Sequence, residues 1–223
     1  MNNSAVNTAR LIGAGLRALI VLTVLCGVLY PLAVTGVAQA LFPDRANGSE
    51  VKDSTGRVVG SELIGQRYDL PLKKGQETPA PDLRWFQPRP SNGLGENSVN
   101  TQYKLILSGA TNRAGDNDEL LQWVKDAKAA VVQDNSTDDF TVKPSDVPAD
   151  AVTSSGSGLD PHISPRYADL QVHRIAERNH LGIQQVRKLV DQHTEGRTLG
   201  FMGEPRVNVL QLNIALKELT AKS

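Results

Sequence analysis

The chain has 223 residues with 24 basic and 24 acidic side chains, so its formal net charge is zero, and aromatic residues make up 4% of it. This balance excludes the strongly basic footprint of most nucleic-acid-binding domains, and so few aromatic residues argue against a base-stacking platform. The single cysteine, Cys26, excludes an intramolecular disulfide and a cluster of thiolate metal ligands.

Residues 18–42 form a long apolar stretch that contains no charged side chain. A helix rises about 1.5 Å per residue, so this stretch would measure about 37 Å as a helix, which exceeds the roughly 30 Å thickness of a bilayer core. The stretch therefore predicts a transmembrane helix over residues 18–42.

A cleaved secretory signal is the alternative for this stretch. Ala38, Gln39 and Ala40 resemble a small-residue cleavage site, and Pro31 could end a shorter apolar helix. The apolar run nevertheless exceeds the core of a signal peptide, which has about 7–15 residues. This excess favours a retained anchor.

Small residues inside the stretch indicate where another membrane helix could approach. Gly27 and Gly36 carry no side-chain bulk, and Pro31 is tolerable in a transmembrane helix because neighbouring groups can satisfy the freed backbone. We therefore predict Gly27, Pro31 and Gly36 as candidate contacts with partner helices. The alternative is that these three residues face lipid.

The charges on either side of the stretch predict its orientation. Arg10 and Arg17 precede it without any acidic residue, whereas Asp44, Arg45 and Glu50 follow it. The positive-inside rule then places residues 1–17 in the cytoplasm and residues 43–223 outside, as one exported domain. In a bacterium with two membranes that domain is periplasmic, and it carries 22 basic and 24 acidic residues, a net charge of −2.

Residues 51–68 read as short strands, with a turn at Asp53-Ser54-Thr55-Gly56. The turn is similar to the phosphorylated Asp-Lys-Thr-Gly-Thr loop of P-type ATPases, but Ser54 and Arg57 replace its lysine and final threonine. These replacements favour a hairpin turn over a phosphorylation site.

Residues 69–118 are rich in Pro, Gly and Asn and predict an irregular segment, which is often functional when it is this long. Within it, aromatic and cationic side chains cluster at Arg84, Trp85, Phe86 and Arg89. Such a cluster is typical of a binding hot spot, but it also describes arginines packed on core aromatic rings. We predict a contact with a partner and keep core packing as the alternative.

Small residues at positions 107–112 predict either a turn or a nucleotide contact. Ser108 and Gly109 could hold a phosphate with backbone amides, although such residues more often form a simple turn. A second stretch of this kind, residues 152–165, contains Ser157, Asp160 and His162. These three are too close in sequence to form a hydrolytic triad easily, so they predict a tight, hydrogen-bonded connection.

Four helices are predicted in the exported domain, over residues 118–133, 165–179, 183–192 and 209–219. The predicted caps are Asp116 or Asn117 for the first, Ser164 for the second and Asn208 for the fourth, and Gly182 separates the second helix from the third. With the strands, they predict an α+β fold: one N-terminal transmembrane helix, then a mixed exported domain with a C-terminal helical part. The apolar face of the first of these helices comprises Leu120, Leu121, Val124, Ala127, Val131 and Val132.

The remaining polar residues give no metal signature. His173, His180 and His193 lack the spacing of a histidine zinc motif. A turn-rich piece at residues 200–209 contains Glu204 and Arg206, which are further candidates for contact with a partner.

Several motifs together closely resemble the C subunit of the bacterial Kdp potassium-transporting P-type ATPase. They are TSSGSGLDPHISP at residues 153–165, HTEGRTLGFMGEPRVNVLQLNIAL at 193–216, and the matching segments 57–66 and 85–91. The likeness covers nearly the whole chain. It departs from the family at Ala110 and Thr111, where the family usually reads Gly-Ser within Leu-Ser-Gly-Gly-Ser-Asn.

The resemblance implies a four-part complex in the bacterial inner membrane. Its other parts are a channel-like subunit that selects potassium, a P-type subunit that hydrolyses ATP, and a small hydrophobic peptide. The resemblance also implies a catalytic chaperone that binds ATP and raises the ATP affinity of the hydrolysing subunit. Asp160 and His162, which lie in its motifs, join the candidate partner contacts.

The predicted topology conflicts with direct ATP binding. ATP is cytoplasmic, and the part predicted to be cytoplasmic is short and has no phosphate-binding loop. We therefore expect a non-catalytic subunit needed for assembly and activity of the pump, with no nucleic-acid partner. The alternatives are the ATP-binding chaperone and, less favoured, an independent periplasmic hydrolase.

Overall fold

The structure is a computed structural model that describes residues 3–76, 78–91, 108–109 and 112–221. The chain divides into two compact units, residues 1–49 and residues 50–223. Each unit has its own architecture. The predicted α+β class is confirmed, because an N-terminal apolar helix precedes a domain of helices and short strands.

The first unit is almost entirely helical. It contains α1 (Asn3–Val24), a π-helical turn (Leu25–Leu29), α2 (Tyr30–Leu41) and the short α3 (Pro43–Ala46). By length and composition, Ser4–Leu41 is the one helix in the described part of the chain that could cross a membrane, with a mean hydropathy of 2.3. A signal sequence meets the same test, so the retained anchor stays a prediction.

The helix continues through Pro31 because the hydrogen-bond ladder shifts just before it. In the π turn, the Tyr30 N–H donates to the carbonyl of Leu25, five residues earlier, and Pro31 then stands in the first turn of α2. A proline needs no N–H partner there. The idea that Pro31 ends a shorter apolar helix is therefore wrong.

In its described residues, the second unit contains two small antiparallel sheets, four α-helices and a short 3-10 turn at Ala149–Ala151. β1 (Glu50–Lys52) pairs with β2 (Val58–Ser61), while β3 (His162–Ile163), β5 (Arg206–Asn208) and β4 (Thr194–Glu195) form a three-stranded sheet in that order. The helices are α4 (Asp118–Asn135), α5 (Pro165–Arg178), α6 (Ile183–Gln192) and α7 (Val209–Thr220). The four predicted helices are confirmed with small changes at their ends.

Side-chain caps start three of these helices, as the sequence predicts. Asn117 accepts from the N–H of Leu120, Ser164 from that of Tyr167, and Asn208 from that of Gln211. Each cap satisfies one of the first N–H groups of a helix, which lack partners within the helix. The predicted apolar face of α4 is only partly correct. Of its six members only Val131 is buried, and Leu121 is 42% exposed.

The predicted hairpin turn after β1 is confirmed. The Asp53 carboxylate accepts from the N–H groups of Thr55 and Arg57 and from the Thr55 hydroxyl. The Thr55 hydroxyl bond is the largest influence on the pKa of Asp53, and it lowers that pKa. The Asp-x-Thr-Gly sequence is therefore accounted for by turn formation.

The core of the second unit lies between α5, α6, α7 and the strands. Its fully buried side chains include Val172, Ile175, Val186, Val207 and Leu212. The α5–α6 pair forms the predicted helical hairpin, and β5 runs directly into α7. This core holds the irregular segment 81–91, which carries four of the predicted contact residues.

Buried Arg174 of α5 fixes part of that segment. Its guanidinium donates to the carbonyls of Leu83 and Trp85 and to the side chains of Asn135 and Gln171. Arg174 is 2% exposed, and burial lowers its pKa to about 10. It remains charged at neutral pH, and its hydrogen bonds replace the lost hydration.

Candidate functional site

The predicted contact residues 84–89 divide between surface and core. Phe86 is fully buried, so its side chain is used within the domain, as the core-packing alternative describes. Arg84 stays exposed and forms two hydrogen bonds to the Asp82 carboxylate, at 3.0 and 2.7 Å. Burial raises the pKa of Asp82, but the bonds from Arg84 outweigh it and the pKa is lowered. Trp85 is half-buried against the core.

Arg89 comes together with Asp160 and His162, although Asp160 lies 71 positions after Arg89 in the sequence. The Asp160 carboxylate lies 3.4 Å from the Arg89 guanidinium and 3.3 Å from Nδ1 of His162. Arg89 also donates to the carbonyls of Thr153 and Ser154. This partly buried group, here called the Asp160 cluster, ties segment 81–91 to the loop before β3.

Ser108 and Gly109, the two residues predicted to contact a nucleotide, form hydrogen bonds to the loop beside the Asp160 cluster. The Gly109 N–H donates to the carbonyl of Ser157 at 2.9 Å, and the Ser108 hydroxyl donates to the same carbonyl at 3.1 Å. Ser91 donates to the neighbouring carbonyl of Gly158. Tertiary structure thus brings together two stretches that the sequence offers separately.

The described groups in this loop do not fit a phosphate cradle. Such a cradle needs several backbone N–H groups free to point at the anion, and that of Gly109 already donates to Ser157. Gly158 has φ +69°, and a Cβ there would lie 2.8 Å from the carbonyl oxygen of Gly109. Close packing of the two backbones therefore explains why position 158 is a glycine. Ala110 and Thr111, also in the predicted stretch, lie outside the described residues.

The same loop does not assemble a hydrolytic triad. The Ser157 hydroxyl accepts from the N–H of Leu159, and the His162 ring lies against Asp160. Among the described residues, Ser157 and His162 form no hydrogen bond, which a nucleophile and its base require. In the described ranges, no group of three or more His, Cys, Asp or Glu side chains could hold a metal ion.

Glu204 and Arg206 lie on the hairpin between β4 and β5. Arg206 pairs with Glu195 across the strands at 2.9 Å, and Glu204 pairs with Arg197 at 3.1 Å. Between these pairs stand three exposed apolar side chains, Leu199, Phe201 and Met202. The sequence analysis missed them. The available signal was the apolar pair Phe201-Met202 between Gly200 and Gly203, in the stretch predicted to be turn-rich.

Gly27, Pro31 and Gly36 lie in the first unit, on an exposed helix. A Cβ added at Gly36 would meet no atom within 4 Å, and one at Gly27 would meet only Thr23, at 3.9 Å. These glycines are therefore not required by packing within the helix. Their role as a surface for partner helices stays a prediction.

A cavity of about 330 Å³ that the sequence did not indicate lies between α4 and segment 81–91. Charged groups of both signs line it, including Arg67, Asp69, Asp134 and Arg174. Arg67 and Asp69 form an ion pair at 2.8 Å. Burial raises the pKa of Asp134, and the charge of Arg174 opposes that shift. The mixed charges give no preference for an anion or a cation.

The comparisons with known proteins follow the motifs. The sequence profile of KdpC, described as the c chain of the K+-transporting ATPase, matches residues 12–218. The chain belongs to the KdpC family. The KdpC subunit of the potassium-transporting ATPase from Streptomyces avermitilis is 78% identical over the full length of both chains. Those of Streptomyces coelicolor and Gloeobacter violaceus are 72% and 43% identical, covering 99% and 92% of this chain and 98% and 94% of their own.

The resemblance drawn from the motifs is thereby confirmed. As a KdpC chain, the protein is a potassium-transport subunit of the Kdp ATPase complex, with one candidate transmembrane helix at its N-terminus. Membership of that complex implies other subunits. It leaves the role of this subunit within the complex to be proposed.

Proposed function

We propose that this KdpC chain is an accessory, non-catalytic subunit that the potassium pump needs for assembly and activity. The observation that carries the proposal is the closed loop at residues 154–158. The Ser108 hydroxyl and the Gly109 N–H, the donors that a phosphate contact in the predicted stretch would need, already donate to the Ser157 carbonyl of this loop. The domain therefore supports the pump through its surface and its fold.

The proposed arrangement follows the charges around the apolar helix. Residues 1–17 lie in the cytoplasm, residues 18–42 cross the inner membrane, and residues 43–223 form the exported domain, which is periplasmic in a bacterium with two membranes. Arg10 and Arg17 before the span, without any acid, support this orientation. The domain would then meet the outward face of the channel-like subunit. The apolar helix would meet the helices of the hydrolysing subunit or the small peptide through Gly27, Pro31 and Gly36.

Removing the chain from the complex tests the proposal. In membranes that contain the other pump subunits, we expect potassium-stimulated ATPase activity to be lost without this chain and to return when it is co-expressed. Full activity in its absence would contradict the proposal.

A reporter enzyme fused after the last residue tests the topology separately. We expect the activity of this reporter on the outer side of the membrane.

The second candidate function is the ATP-binding chaperone that the family resemblance implies. The observation behind it is that Ser108 and Gly109 lie against the loop that contains Ser157, and nucleotide binding there would require their hydrogen bonds to the Ser157 carbonyl to open. A photoreactive ATP analogue tests it on the assembled complex. Labelling of this chain that disappears in Ser108→Ala and Gly109→Val, together with a cytoplasmic reporter, would establish the chaperone and overturn the proposed topology.

A further inference from the structure

The loop between β4 and β5, residues 196–205, exposes three apolar side chains within one short stretch. Leu199 is 79% exposed, Phe201 71% and Met202 47%. We call these three residues the apolar tip. Exposed apolar groups that cluster on a folded domain are typical of an interaction surface, because isolated ones are common but clusters are not.

The loop that carries the apolar tip is ordered by its own backbone. Thr198 and Met202 exchange two hydrogen bonds, at 2.9 and 3.0 Å, and the Gly200 N–H donates to the carbonyl of Arg197 at 3.1 Å. Gly200 and Gly203 have positive φ angles of +82° and +78°. The loop is therefore a preformed turn, so binding through it would require little further ordering.

Leu199 indicates that the apolar tip is not explained by the stability of the domain. Its φ angle is +55°, a left-handed conformation that glycine and asparagine adopt readily and a leucine does not. The strained leucine gains nothing from internal packing, since most of its surface is exposed. Strain of this kind is typical of positions that contact something outside the domain.

The charges at the base of the loop indicate whether the surface that binds the apolar tip is charged or neutral. Arg197 pairs with Glu204 and Arg206 pairs with Glu195, so the base presents no uncompensated charge. Segments that bind an anionic bilayer surface carry free Lys or Arg beside their apolar residues. Residues 196–205 contain no Lys, and their arginine, Arg197, is paired with Glu204. These features favour a neutral protein pocket over a lipid surface.

The size of the apolar tip favours a tethered partner over a second copy of the chain. Three side chains cover far less than the roughly 800 Å² that each partner buries in a stable independent complex. A small contact is sufficient when other contacts hold both partners in one assembly, because the effective concentration is then high. Subunits of one pump meet this condition.

We propose that the apolar tip docks into an apolar pocket with an uncharged rim on another subunit of the same potassium pump. The proposal rests on the accessory-subunit function proposed above and deepens it by naming the contact. Phe201 is its centre, since it is the largest apolar side chain of the tip and a preformed loop leaves it 71% exposed.

Photochemical crosslinking identifies the occupant. The photoreactive residue p-benzoylphenylalanine replaces Phe201 in the full chain, within the purified pump in lipid nanodiscs. We expect a crosslink to another pump subunit, identified by mass spectrometry. Crosslinks only to lipid, only to a second copy of this chain, or to nothing would each overturn the proposal. The same photoreactive residue at Leu63, a leucine with 61% exposure, is the control and should not give that product.

Substitutions test the strength of the contact without disturbing the fold. Leu199→Asn removes the apolar group and suits the positive φ angle, so the domain should melt at the same or a higher temperature. We expect Leu199→Asn combined with Phe201→Ser to lower recovery of the other subunits with this chain about tenfold. The loss should persist in high salt, because the contact is apolar. Leu63→Asn is the matched control and should leave recovery unchanged.

The outcomes separate this proposal from the accessory function. If removal of the chain abolishes pump activity but the tip variant assembles normally and crosslinks to no subunit, the function stands and the docking proposal is wrong. If Phe201 crosslinks to a pump subunit but the pump is fully active without the chain, the contact exists and the accessory function is wrong.

Discussion

Asp160 shows how one residue joins two distant segments by charge. Burial by itself raises its pKa, but the hydrogen bonds from His162 and the charge of Arg89 outweigh burial and hold the pKa below the usual 3.8. A carboxyl group with a lowered pKa in the folded state stabilises the protein fully above its unfolded pKa. That contribution is lost as the pH falls through the folded pKa.

Substituting Asp160 should therefore give a pH-dependent loss of stability. We expect Asp160→Asn to lower the free energy of unfolding by about 1 kcal/mol at pH 7, since the ion pair with Arg89 is lost. The difference from the natural chain should shrink as the pH falls below about 3.8. Both tryptophans, Trp85 and Trp123, lie in the second unit, so their fluorescence during urea unfolding gives the measurement.

An exposed aspartate provides the comparison for that experiment. Asp139 forms no hydrogen bond or ion pair within the described part of the chain, and Asp139→Asn should change the free energy by less than about 0.5 kcal/mol at any pH. A loss for Asp160→Asn that is equally large at pH 3 and pH 7 would contradict the role of its charge.

At the scale of elements, side chains of two helices form hydrogen bonds with the backbone of the irregular segment 81–91. A neighbouring strand would satisfy the same backbone groups in a sheet. The Asn213 carboxamide of α7 accepts from the N–H of Phe86 and donates to its carbonyl, both at 2.9 Å. The Gln171 carboxamide of α5 does the same for Gln87, at 2.7 and 3.2 Å. Both carboxamides are buried, so the backbone groups of an irregular segment remain satisfied without a sheet.

Removing one of these carboxamides should be costly. Asn213→Leu leaves both backbone groups of Phe86 without a partner in the core, and we expect the free energy of unfolding to fall by about 2–4 kcal/mol. The exposed Gln184 of α6 is the control, and Gln184→Leu should change it by less than about 0.5 kcal/mol. Chemical denaturation followed by circular dichroism measures both. Equal effects for the two variants would show that the Asn213 bonds contribute little.

At the scale of the whole molecule, the buried core belongs to one unit and the candidate transmembrane helix to the other. The buried hydrophobic clusters lie entirely within residues 50–223, and the helices of the first unit bury no side chain in the described part of the chain. An apolar helix with this exposure gains its stability from lipid or from other helices. The domain therefore has what it needs to fold without the first unit.

A truncated chain tests this division. Residues 50–223, exported behind a cleavable signal, should unfold cooperatively with the midpoint seen for the domain in the full chain. We expect no recovery of pump activity in cells that lack the full chain, because the membrane contact is missing. Activity restored by the truncated chain would instead support the signal-peptide alternative.

Fusion of residues 50–223 to an unrelated apolar helix is a second test. It should restore attachment to the membrane but not the contacts predicted for Gly27, Pro31 and Gly36.

Local patterns in the sequence predicted the helices and the β1–β2 hairpin, but not the three-stranded sheet of β3, β5 and β4. The 3.6-residue spacing of apolar side chains gave the four helices of the domain, and local cap chemistry gave the starts at Asn117, Ser164 and Asn208. The turn at Asp53 followed in the same way, since its hydrogen bonds reach only residues within four positions. Family membership was also readable, because its motifs are contiguous.

The assembly of the candidate site could not be read from the sequence. Arg89 meets Asp160, Phe86 meets Asn213, and Ser108 meets Ser157 through bonds between residues 49 to 127 positions apart. The sequence also could not show that Phe86 lies in the core and Arg84 on the surface, because a cluster of aromatic and cationic residues is found in both places.

The sequence by itself determined the family, the apolar helix and the helices of the domain, because each depends on neighbouring residues. Tertiary structure alone decided which polar groups are already used inside the domain and which apolar groups remain outside it. Burial and hydrogen bonding depend on the approach of distant segments, and no local pattern records that approach. For this reason only the structure shows that Ser108 and Gly109 donate to the carbonyl of Ser157, and that Leu199, Phe201 and Met202 form an exposed surface.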